Sequence, residues 1–347
     1  MLIANIPVGA GHPPFIIAEM SGNHNQSLER ALAIVDAAAE AGAHALKLQT
    51  YTADTMTLDI GEGDFFVDDP KSIWKGQSLH ALYQKAYTPW EWHQPIFEHA
   101  RKRGMVAFSS PFDESAVDFL ESLDAPCYKI ASYENTDLPL IRRAAATGRP
   151  LIISTGMASV SELGEAVQTA RSAGCRDIVL LKCTSTYPAT PENTNILTIP
   201  HMRDLFGCEV GLSDHTMGVG VAVAAVALGA SVVEKHFTLA RADGGVDSSF
   251  SLEPAELAAL VTETERAALA LGQVRYGPTE AEESSVTQRR SLYIGADMKA
   301  GDVLTKDNLR RIRPGLGLPP KYYDMLLGRK VARDVAKGTP VSWDFIG

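Results

Sequence analysis

Two apolar runs in this chain of 347 residues each end in an acidic residue and a histidine. The runs, GLSDHT and VVEKHF, are typical of buried parallel strands whose last residues turn polar. Barrel enzymes carry their chemistry where such strands emerge at their carboxyl ends. Because side chains alternate along a strand, we expect His215 to share a face with Ser213, and His236 to share one with Glu234. Each strand end then presents an oxygen and an imidazole together.

A pair of neutral imidazoles at adjacent strand ends is suited to a divalent cation whose other positions go to water and substrate. Because oxygen donors accompany His215 and His236, we expect Mn²⁺ or Mg²⁺ rather than a closed structural zinc site. Two carboxylates, Glu19 and Glu234, are then the candidates for acid–base catalysis. Either of them could carry the proton.

Further polar side chains are predicted where the other strands end. Lys47 and Lys129 stand among apolar residues, where a buried ammonium group is costly unless it meets an opposite charge. Scaffolding by ion pairs is the alternative, but two lysines among several hydroxyls favour a cradle for phosphate or carboxylate. The remaining polar residues at predicted strand ends are Gln49, Ser109, Ser110, Ser132, Ser154, Thr155, Ser185 and Tyr187.

Eight β-rich runs with helical patterns between them must position these residues. This order predicts an α/β fold with a parallel sheet, and eight strands within about 250 residues are typical of a (β/α)8 TIM barrel. The runs are FIIAEM (15–20), HALKLQT (44–50), MVAFSS (105–110), CYKIAS (127–132), PLIIST (150–155), DIVLLKC (177–183), CEVGLSD (208–214) and SVVEKHF (231–237). The helical pattern that follows the first run has Ser27 as its expected N-cap.

Changes in composition predict the domain organisation. We expect a catalytic barrel at 1–275, a polar linker at 276–290 and a small domain at 291–347. The small domain contains a weak internal repeat, DMKAGDVLTKDNL and DVAKGTPVSWDFI, which favours pseudo-symmetry. Within the barrel, the long connection at 51–104 is expected to cover the mouth, because loops of that length are usually lids or binding loops.

Charge and cysteine usage exclude some classes of protein. The net charge of −10 disfavours nucleic acid and anionic membrane surfaces as partners. The longest apolar stretch, at 221–230, falls well short of the ~20 residues of a membrane helix. The four cysteines form no CxxC pair, and the N-terminus lacks the pattern of a secretory signal. These features predict a cytoplasmic protein with reduced thiols and no membrane partner.

Several separate motifs, in order along nearly the whole chain, resemble those of the sialic acid synthase family. They are FIIAEMSGNHNQS, KLQT, FSSPFD, YKIAS, ISTGM, CTSTYP, GLSDHT, EKHF and RPGLGL. The resemblance implies a TIM barrel followed by a small C-terminal antifreeze-like domain (SAF, β-clip). It also implies condensation of phosphoenolpyruvate with an open-chain amino sugar to form a nonulosonic acid.

The details of these motifs imply one acceptor sugar. Strings such as AEMSGNHNQS and VDSSFSL resemble the members that use 2,4-diacetamido-2,4,6-trideoxy-L-altrose and release pseudaminic acid and phosphate. The alternatives within the family are N-acetylmannosamine, which yields N-acetylneuraminate, and the precursor of legionaminate.

The resemblance also implies roles for individual residues. His215 and His236 would hold the metal, and Gln49, Tyr187 and Asp247 would face the sugar. Arg313 would reach from the small domain of one subunit into the barrel of the other, in a domain-swapped homodimer. Phosphoenolpyruvate would be bound by Lys47, Ser110, Lys129, Ser132, Ser154, Ser185 and Ser213. Family members often have Thr at position 110 and Asn at position 185, so two of these contacts use shorter or smaller groups here.

The residues bear on three other functions. A class I aldolase would use Lys129 or Lys47 in a Schiff base, which a barrel permits. A metal hydrolase is disfavoured because the first strand lacks an HxH pair. A non-enzymatic sugar- or ice-binding protein is suggested only by the C-terminal tail, and the two lysines argue against it.

Overall fold

A computed structural model describes residues 1–70 and 72–347, and the chain divides into two compact units. The first unit is Met1–Gly272 and the second is Gln273–Gly347. Eight parallel strands of the first unit form a closed barrel with helices between them, which confirms the predicted α/β TIM-barrel class. Within the described ranges no helix has both the length and the apolar character needed to cross a membrane.

An antiparallel hairpin precedes the barrel. Its strands are β1, Leu2–Ile3, and β2, Ile6–Pro7. The barrel strands are β3 Phe15–Glu19, β4 Ala45–Thr50, β5 Val106–Pro111, β6 Tyr128–Ile130, β7 Leu151–Ser154, β8 Ile178–Cys183, β9 Glu209–Asp214 and β10 Val232–His236. Each strand pairs with the next along the chain, and β10 closes the barrel by pairing with β3. All eight predicted runs therefore form strands.

Eleven α-helices of the described first unit connect and surround these strands. They are α1 Leu28–Glu40, α2 Ala53–Met56, α3 Leu79–Ala86, α4 His93–Lys102, α5 Glu114–Ser122, α6 Leu138–Ala145, α7 Val160–Ser172, α8 Pro191–Thr194, α9 Thr198–Phe206, α10 Gly220–Ala227 and α11 Pro254–Leu271. The predicted N-cap Ser27 accepts a hydrogen bond from the Arg30 amide at 3.2 Å. This bond satisfies one of the free amides in the first turn of α1.

The inward face of the barrel changes character along the strands. At the amino ends it is an apolar core that includes Phe15, Val106, Phe108 and Ile152, and Ile3 of the hairpin packs into the same cluster. Toward the carboxyl ends the inward positions become charged or hydroxylic, because the same two-residue alternation continues into polar sequence. The apolar layer fixes the strands, and the polar layer above it forms the mouth.

The second unit contains strands β11, Ser291–Ile294, and β12, Leu309–Ile312, and a short helix α12, Tyr323–Leu326, around a small apolar core. Its two sequence repeats exchange equivalent hydrogen bonds. Asp297 Oδ1 accepts from the Lys337 amide at 2.7 Å, and Asp334 Oδ1 accepts from the Ala300 amide at 2.9 Å. Each aspartate thus caps the turn of the other repeat, which confirms the predicted pseudo-symmetry.

Candidate active site

A cavity of about 350 Å³ opens at the carboxyl ends of the barrel strands. Three of the residues expected to face the sugar, Gln49, Tyr187 and Asp247, line it together with His236. Residues of the long connection at 51–104 form much of the remaining wall. The expectation that this connection covers the barrel mouth is confirmed.

Two lysines and two glutamates form a buried cluster at this end of the barrel. Lys47 Nζ lies 3.1 Å from Glu19 Oε2 and 3.2 Å from Glu234 Oε1, and Lys129 Nζ lies 3.4 Å from the same Glu234 oxygen. All four side chains are at most 5% exposed. The two ammonium groups are therefore paired with two carboxylates in a small buried volume.

The two carboxylates differ in their surroundings. Burial raises the pKa of Glu19 above its ordinary value, and the nearby charge of Glu234 adds to this effect. Burial also acts on Glu234, but Lys129 and Lys47 outweigh it and lower the pKa of that carboxyl to about 2. Glu234 is thus held ionised by two cations, whereas Glu19 is the one whose protonation can change.

Hydroxyl groups surround the lysine pair. Ser110 Oγ accepts a hydrogen bond from Lys47 at 3.4 Å, and Ser213 Oγ donates to Glu234 at 3.2 Å. Ser154 Oγ is buried and has no hydrogen-bond partner. The predicted residues Lys47, Ser110, Ser213 and Glu234 therefore belong to one contact network, while the Ser154 hydroxyl is free to bind a ligand.

Two further serines meet at Gly156, just after β7. The Gly156 amide donates to Ser132 Oγ at 3.2 Å. A Cβ at position 156 would lie 2.6 Å from Ser132 Oγ and would collide with Ser185 Oγ. The glycine is required because the two hydroxyls converge there, which leaves a small polar recess beside a backbone amide. A recess of this kind suits a phosphate oxygen.

The imidazoles of His215 and His236 lie side by side, with ring centroids 5.3 Å apart. His215 Nδ1 donates to the Thr184 carbonyl at 2.9 Å, which fixes the orientation of the ring. Burial and the neighbouring His215 lower the pKa of His236 well below its ordinary value, and His236 Nδ1 is buried without a hydrogen-bond partner. Burial acts to lower the pKa of His215, but hydrogen bonds to the Cys183 thiol and the Thr184 carbonyl outweigh it and raise that pKa above its ordinary value. Two adjacent imidazoles, one of them with an unpartnered nitrogen, fit the predicted divalent cation.

The donor set for a metal is incomplete within the protein. In the part of the chain that the structure describes, no three His, Cys, Asp or Glu side chains are arranged to hold an ion. The nearest carboxylate to the pair is Asp247, with Oδ2 3.6 Å from His236 Nδ1. Any cation would therefore complete its coordination with water or substrate, as expected from the sequence.

A line of polar side chains crosses the cavity from the glutamates to the histidines. Gln49 Nε2 donates to Glu19 Oε1 at 2.8 Å and to Ser21 Oγ at 3.3 Å. Ser21 Oγ in turn donates to Asp247 Oδ2. Gln49 and Asp247 are thus linked through Ser21, a residue that the sequence analysis did not single out.

Alternate residues of the same strands face away from the site. Lys235 Nζ lies 2.9 Å from Asp214 Oδ2, and both side chains are at most 1% exposed. This pair is on the helix side of β9 and β10, because strand alternation directs Lys235 and Glu234 to opposite faces. Ser109 is also outward, where its hydroxyl contacts Thr50 Oγ1 at 2.6 Å. Its predicted place among the mouth residues is wrong, because Ser110 occupies the inward position.

Other cavity residues escaped prediction because they lie outside the strand ends. Glu134, in a 3-10 helix after β6, lines the cavity with a buried and unpartnered Oε2. Burial raises its pKa to about 7. Trp74, on the long connection at 51–104, also lines the cavity, and its ring centroid lies 5.7 Å from that of Tyr187. Strand alternation gives no signal for side chains on such connections.

One predicted sugar-binding residue is in the second unit. Arg313 is exposed and follows β12 directly. Its role toward the barrel of another subunit stays a prediction.

Two family models match this sequence. The NeuB family model matches residues 34–276, and the SAF domain model matches residues 289–347. The first match covers most of the barrel unit, and the second lies within the C-terminal unit. Both domains implied by the resemblance are therefore present in the expected order.

The chain is similar over nearly its whole length to several named synthases. Pseudaminic acid synthase from Helicobacter pylori is 43% identical over 336 residues, which cover 96% of this chain and 98% of that protein. Pseudaminic acid synthase from Campylobacter jejuni is 43% identical over 327 residues, covering 93% of this chain and 94% of that protein. N,N'-diacetyllegionaminic acid synthase from Legionella pneumophila is 35% identical, covering 98% and 96%.

The chain is also similar to solved structures of proteins with related names. An N-acetylneuraminic acid synthetase from Leptospira borgpetersenii superposes with a TM-score of 0.73 at 32% identity, covering 82% of this chain and 94% of that chain. The spore coat polysaccharide biosynthesis protein SpsE from Bacillus subtilis has a TM-score of 0.68 at 34% identity, covering 100% and 99%.

Proposed function

This chain belongs to the NeuB family, and we propose that it is a pseudaminic acid synthase. The reaction joins phosphoenolpyruvate, 2,4-diacetamido-2,4,6-trideoxy-L-altrose and water to give pseudaminic acid and phosphate. The observation that carries the proposal is the barrel mouth, where a buried lysine–glutamate cluster and several serine hydroxyls lie in the same polar layer as two adjacent imidazoles. The choice of sugar is supported by the 43% identity to pseudaminic acid synthases.

Phosphoenolpyruvate is proposed to bind at the lysine cluster. Its carboxylate and phosphate need several cations and hydrogen-bond donors in a small space. The donors are Lys47, Ser110, Lys129, Ser132, Ser154, Ser185 and Ser213. The hydroxyls that converge beside the Gly156 amide and the unpartnered hydroxyl of Ser154 support this role.

The acceptor sugar is proposed to occupy the cavity above the cluster, against Gln49, Tyr187 and Asp247. These side chains line the cavity and provide an amide, a phenol and a carboxylate for hydroxyl and acetamido groups. The open-chain form of the sugar places its aldehyde toward the lysine cluster, so that C3 of phosphoenolpyruvate attacks the aldehyde carbon.

A divalent cation, Mn²⁺ or Mg²⁺, is proposed to be held by His215 and His236. When bound, such an ion polarises an aldehyde oxygen and offsets the negative charge that develops on it. The protein contributes two imidazoles, with the pKa of His236 lowered by burial and the ring of His215 oriented by the Thr184 carbonyl.

Glu19 is proposed to take the proton from the attacking water. After carbon–carbon bond formation, water adds to the cationic C2 and the tetrahedral intermediate expels phosphate. Glu234 contacts two ammonium groups, which stabilise its ionised form and make it a weak base. Glu19 contacts a single lysine and accepts from Gln49, so it is the better proton acceptor.

Three further features of the protein are proposals of the same kind. We infer that the enzyme works as a domain-swapped homodimer in which Arg313 of one subunit completes the site of the other.

The barrel is proposed to extend over 1–275 and the SAF domain over 291–347, with 276–290 as linker. Cytoplasmic localisation is supported by the four buried cysteines, all of which carry free thiols.

The test is an assay of phosphate release from phosphoenolpyruvate with three acceptors in parallel: the altrose derivative, the legionaminate precursor and N-acetylmannosamine. We expect the altrose derivative to give the highest kcat/KM, and mass spectrometry to identify pseudaminic acid. Preference for another acceptor would reassign the enzyme within the family. Borohydride trapping with substrates controls for the aldolase alternative, since a Schiff base on Lys129 or Lys47 would leave a covalent adduct.

A further inference from the structure

Lys182 lies on β8 but faces away from the barrel interior. Leu180, two residues earlier, and Leu212, its register partner on β9, are both buried in the apolar layer between the strands and the helices. A lysine on this face is unusual, because a partly buried ammonium group is costly unless it meets a suitable partner. Lys235 on β10 meets the Asp214 carboxylate, whereas Lys182 directs its ammonium group to carbonyl and hydroxyl oxygens.

The ammonium group of Lys182 holds the chain just after β8. Lys182 Nζ donates to the Cys183 carbonyl at 2.8 Å and to Thr184 Oγ1 at 3.4 Å. Thr184 Oγ1 in turn donates to the Asn193 carbonyl at 3.1 Å. Thr184 lies beyond the strand, since β8 ends at Cys183. These side-chain contacts therefore fix the chain at the point where the regular hydrogen bonds of the sheet end.

Thr184 orients one of the two histidines at the barrel mouth. Its carbonyl accepts the hydrogen bond from His215 Nδ1 at 2.9 Å, which selects one tautomer and one orientation of the ring. The main chain of His215 is held separately, because its carbonyl accepts from the Ala189 amide at 3.0 Å. The direction of the imidazole therefore depends on Thr184, and the position of Thr184 depends on Lys182 and Asn193.

The path of the Lys182 side chain argues against a role in packing alone. Its side chain lines a cavity of about 260 Å³ on the outer side of the barrel, together with Leu163 of α7 and Met202 of α9. Lysines that only cover apolar surface keep their charged end in water. The ammonium group of Lys182 instead turns back to the end of β8, where it bonds to two oxygen atoms of consecutive residues.

We propose that Lys182 is a positioning residue for the imidazole of His215 as a metal ligand. Its ammonium group fixes Thr184, and the Thr184 carbonyl fixes the ring, so loss of the ammonium group lowers the affinity for the cation. This inference rests on the proposed function, because it takes His215 as one of the two metal ligands. Lys182 faces the helices and acts on the site only through Thr184.

The first arm of the experiment is Lys182→Met, which removes the ammonium group and keeps most of the aliphatic chain. Calorimetry with Mn²⁺ on the full-length protein without substrates should show binding weakened by about 10-fold, as expected when the support of a metal ligand is lost. Leu163→Ala is the matched control, because it leaves a void beside the same outer cavity but does not alter the bonds to Thr184. We expect this control to unfold at lower temperature and to bind Mn²⁺ as the wild type does.

The second arm tests whether Lys182 acts through Thr184. Thr184→Val removes the hydroxyl and keeps the carbonyl, and it should also weaken Mn²⁺ binding by about 10-fold. If both residues act in one chain of contacts, the double variant should lose no more than either single variant, whereas independent effects would give a loss of about 100-fold. Unequal behaviour of the double and single variants is measured by the same calorimetry.

The outcomes separate this inference from the proposed function. An Mn²⁺ affinity that is unchanged in Lys182→Met, an equal loss in Leu163→Ala, or additive losses in the double variant would each overturn the role of Lys182 alone. Wild-type protein that bound no Mn²⁺ would overturn the metal part of the proposed function together with this inference. Condensation of phosphoenolpyruvate is judged separately, by the phosphate-release assay.

Discussion

Glu19 and Lys47 are register partners on the neighbouring strands β3 and β4, and their charged groups meet 3.1 Å apart inside the barrel. The same ammonium group contacts Glu234 on β10, so one lysine bridges two carboxylates. Two like charges that share one cation do not titrate alike: the carboxyl with fewer cationic neighbours binds a proton more readily. This asymmetry is the basis of the proton transfer that we propose for Glu19.

The first prediction concerns Glu19→Gln. The amide keeps the size of the side chain but cannot accept a proton, so we expect kcat to fall by about 10²- to 10⁴-fold. Far-UV circular dichroism should show an unchanged fold, because the amide can still bond to Gln49. Steady-state phosphate release measures the effect. A kcat within about threefold of wild type would assign the proton to another group.

The second prediction concerns pH. A general base loses its function when it is protonated, and the pKa of Glu19 lies above 4.5, the ordinary value for a glutamate. We therefore expect kcat/KM to decline as the pH falls through this raised pKa, and this decline forms the acid limb of the pH profile. Glu234, with its pKa lowered to about 2, stays ionised throughout and does not contribute to this limb. Because the charge of Glu234 raises the pKa of Glu19, Glu234→Gln should move the limb to lower pH. An unmoved limb in the residual activity of this variant would contradict the coupling.

Much of the barrel mouth was predictable because one rule, alternation along buried strands, determines both the fold and the inward residues. It placed Lys47, Lys129, Ser213 and Glu234 on one face correctly. It failed at Ser109, where two consecutive serines leave the inward position ambiguous. Alternation gave no prediction for Glu134 or Trp74, because their positions depend on how the connections fold back over the barrel.

The third prediction separates the two faces of β10. Removing the Lys235 ammonium leaves the Asp214 carboxylate buried and unpaired, which costs about 3–5 kcal/mol. Urea unfolding should therefore show a large loss of stability in Lys235→Met, with kcat nearly unchanged well below the unfolding midpoint. The double variant Lys235→Met, Asp214→Leu should recover much of the loss. If Lys235→Met instead lost turnover at full stability, Lys235 would have a role in the site.

The fourth prediction concerns the metal. Chelation should abolish turnover, and added Mn²⁺ or Mg²⁺ should restore it. His236→Ala should weaken Mn²⁺ binding by about 10-fold or more, measured by calorimetry on the free protein, because one of two protein nitrogens is lost. His201→Ala is the control, since this histidine is exposed on α9. Wild-type turnover of His236→Ala after chelation would refute a metal held at this pair.

The last prediction concerns Arg313 and the second unit. We expect Arg313→Ala to lose turnover through a raised KM for the sugar, while Arg310→Ala, an exposed neighbour on β12, stays close to wild type. Deletion of residues 285–347 should abolish turnover while the barrel unit still folds. Full activity of the truncated chain would refute any role of this unit in the site.

Exchange of Arg313 between subunits has a sharper test. Lys47→Met and Arg313→Ala should each be inactive alone, because the first lacks a cation of the barrel mouth and the second lacks the guanidinium group that we propose for the sugar. In a random mixture, half of the dimers are heterodimers, and each contains one site with both wild-type residues. Co-expression should therefore recover about a quarter of wild-type activity. If Arg313 serves the barrel of its own chain, every site carries one defect, and the mixture stays inactive.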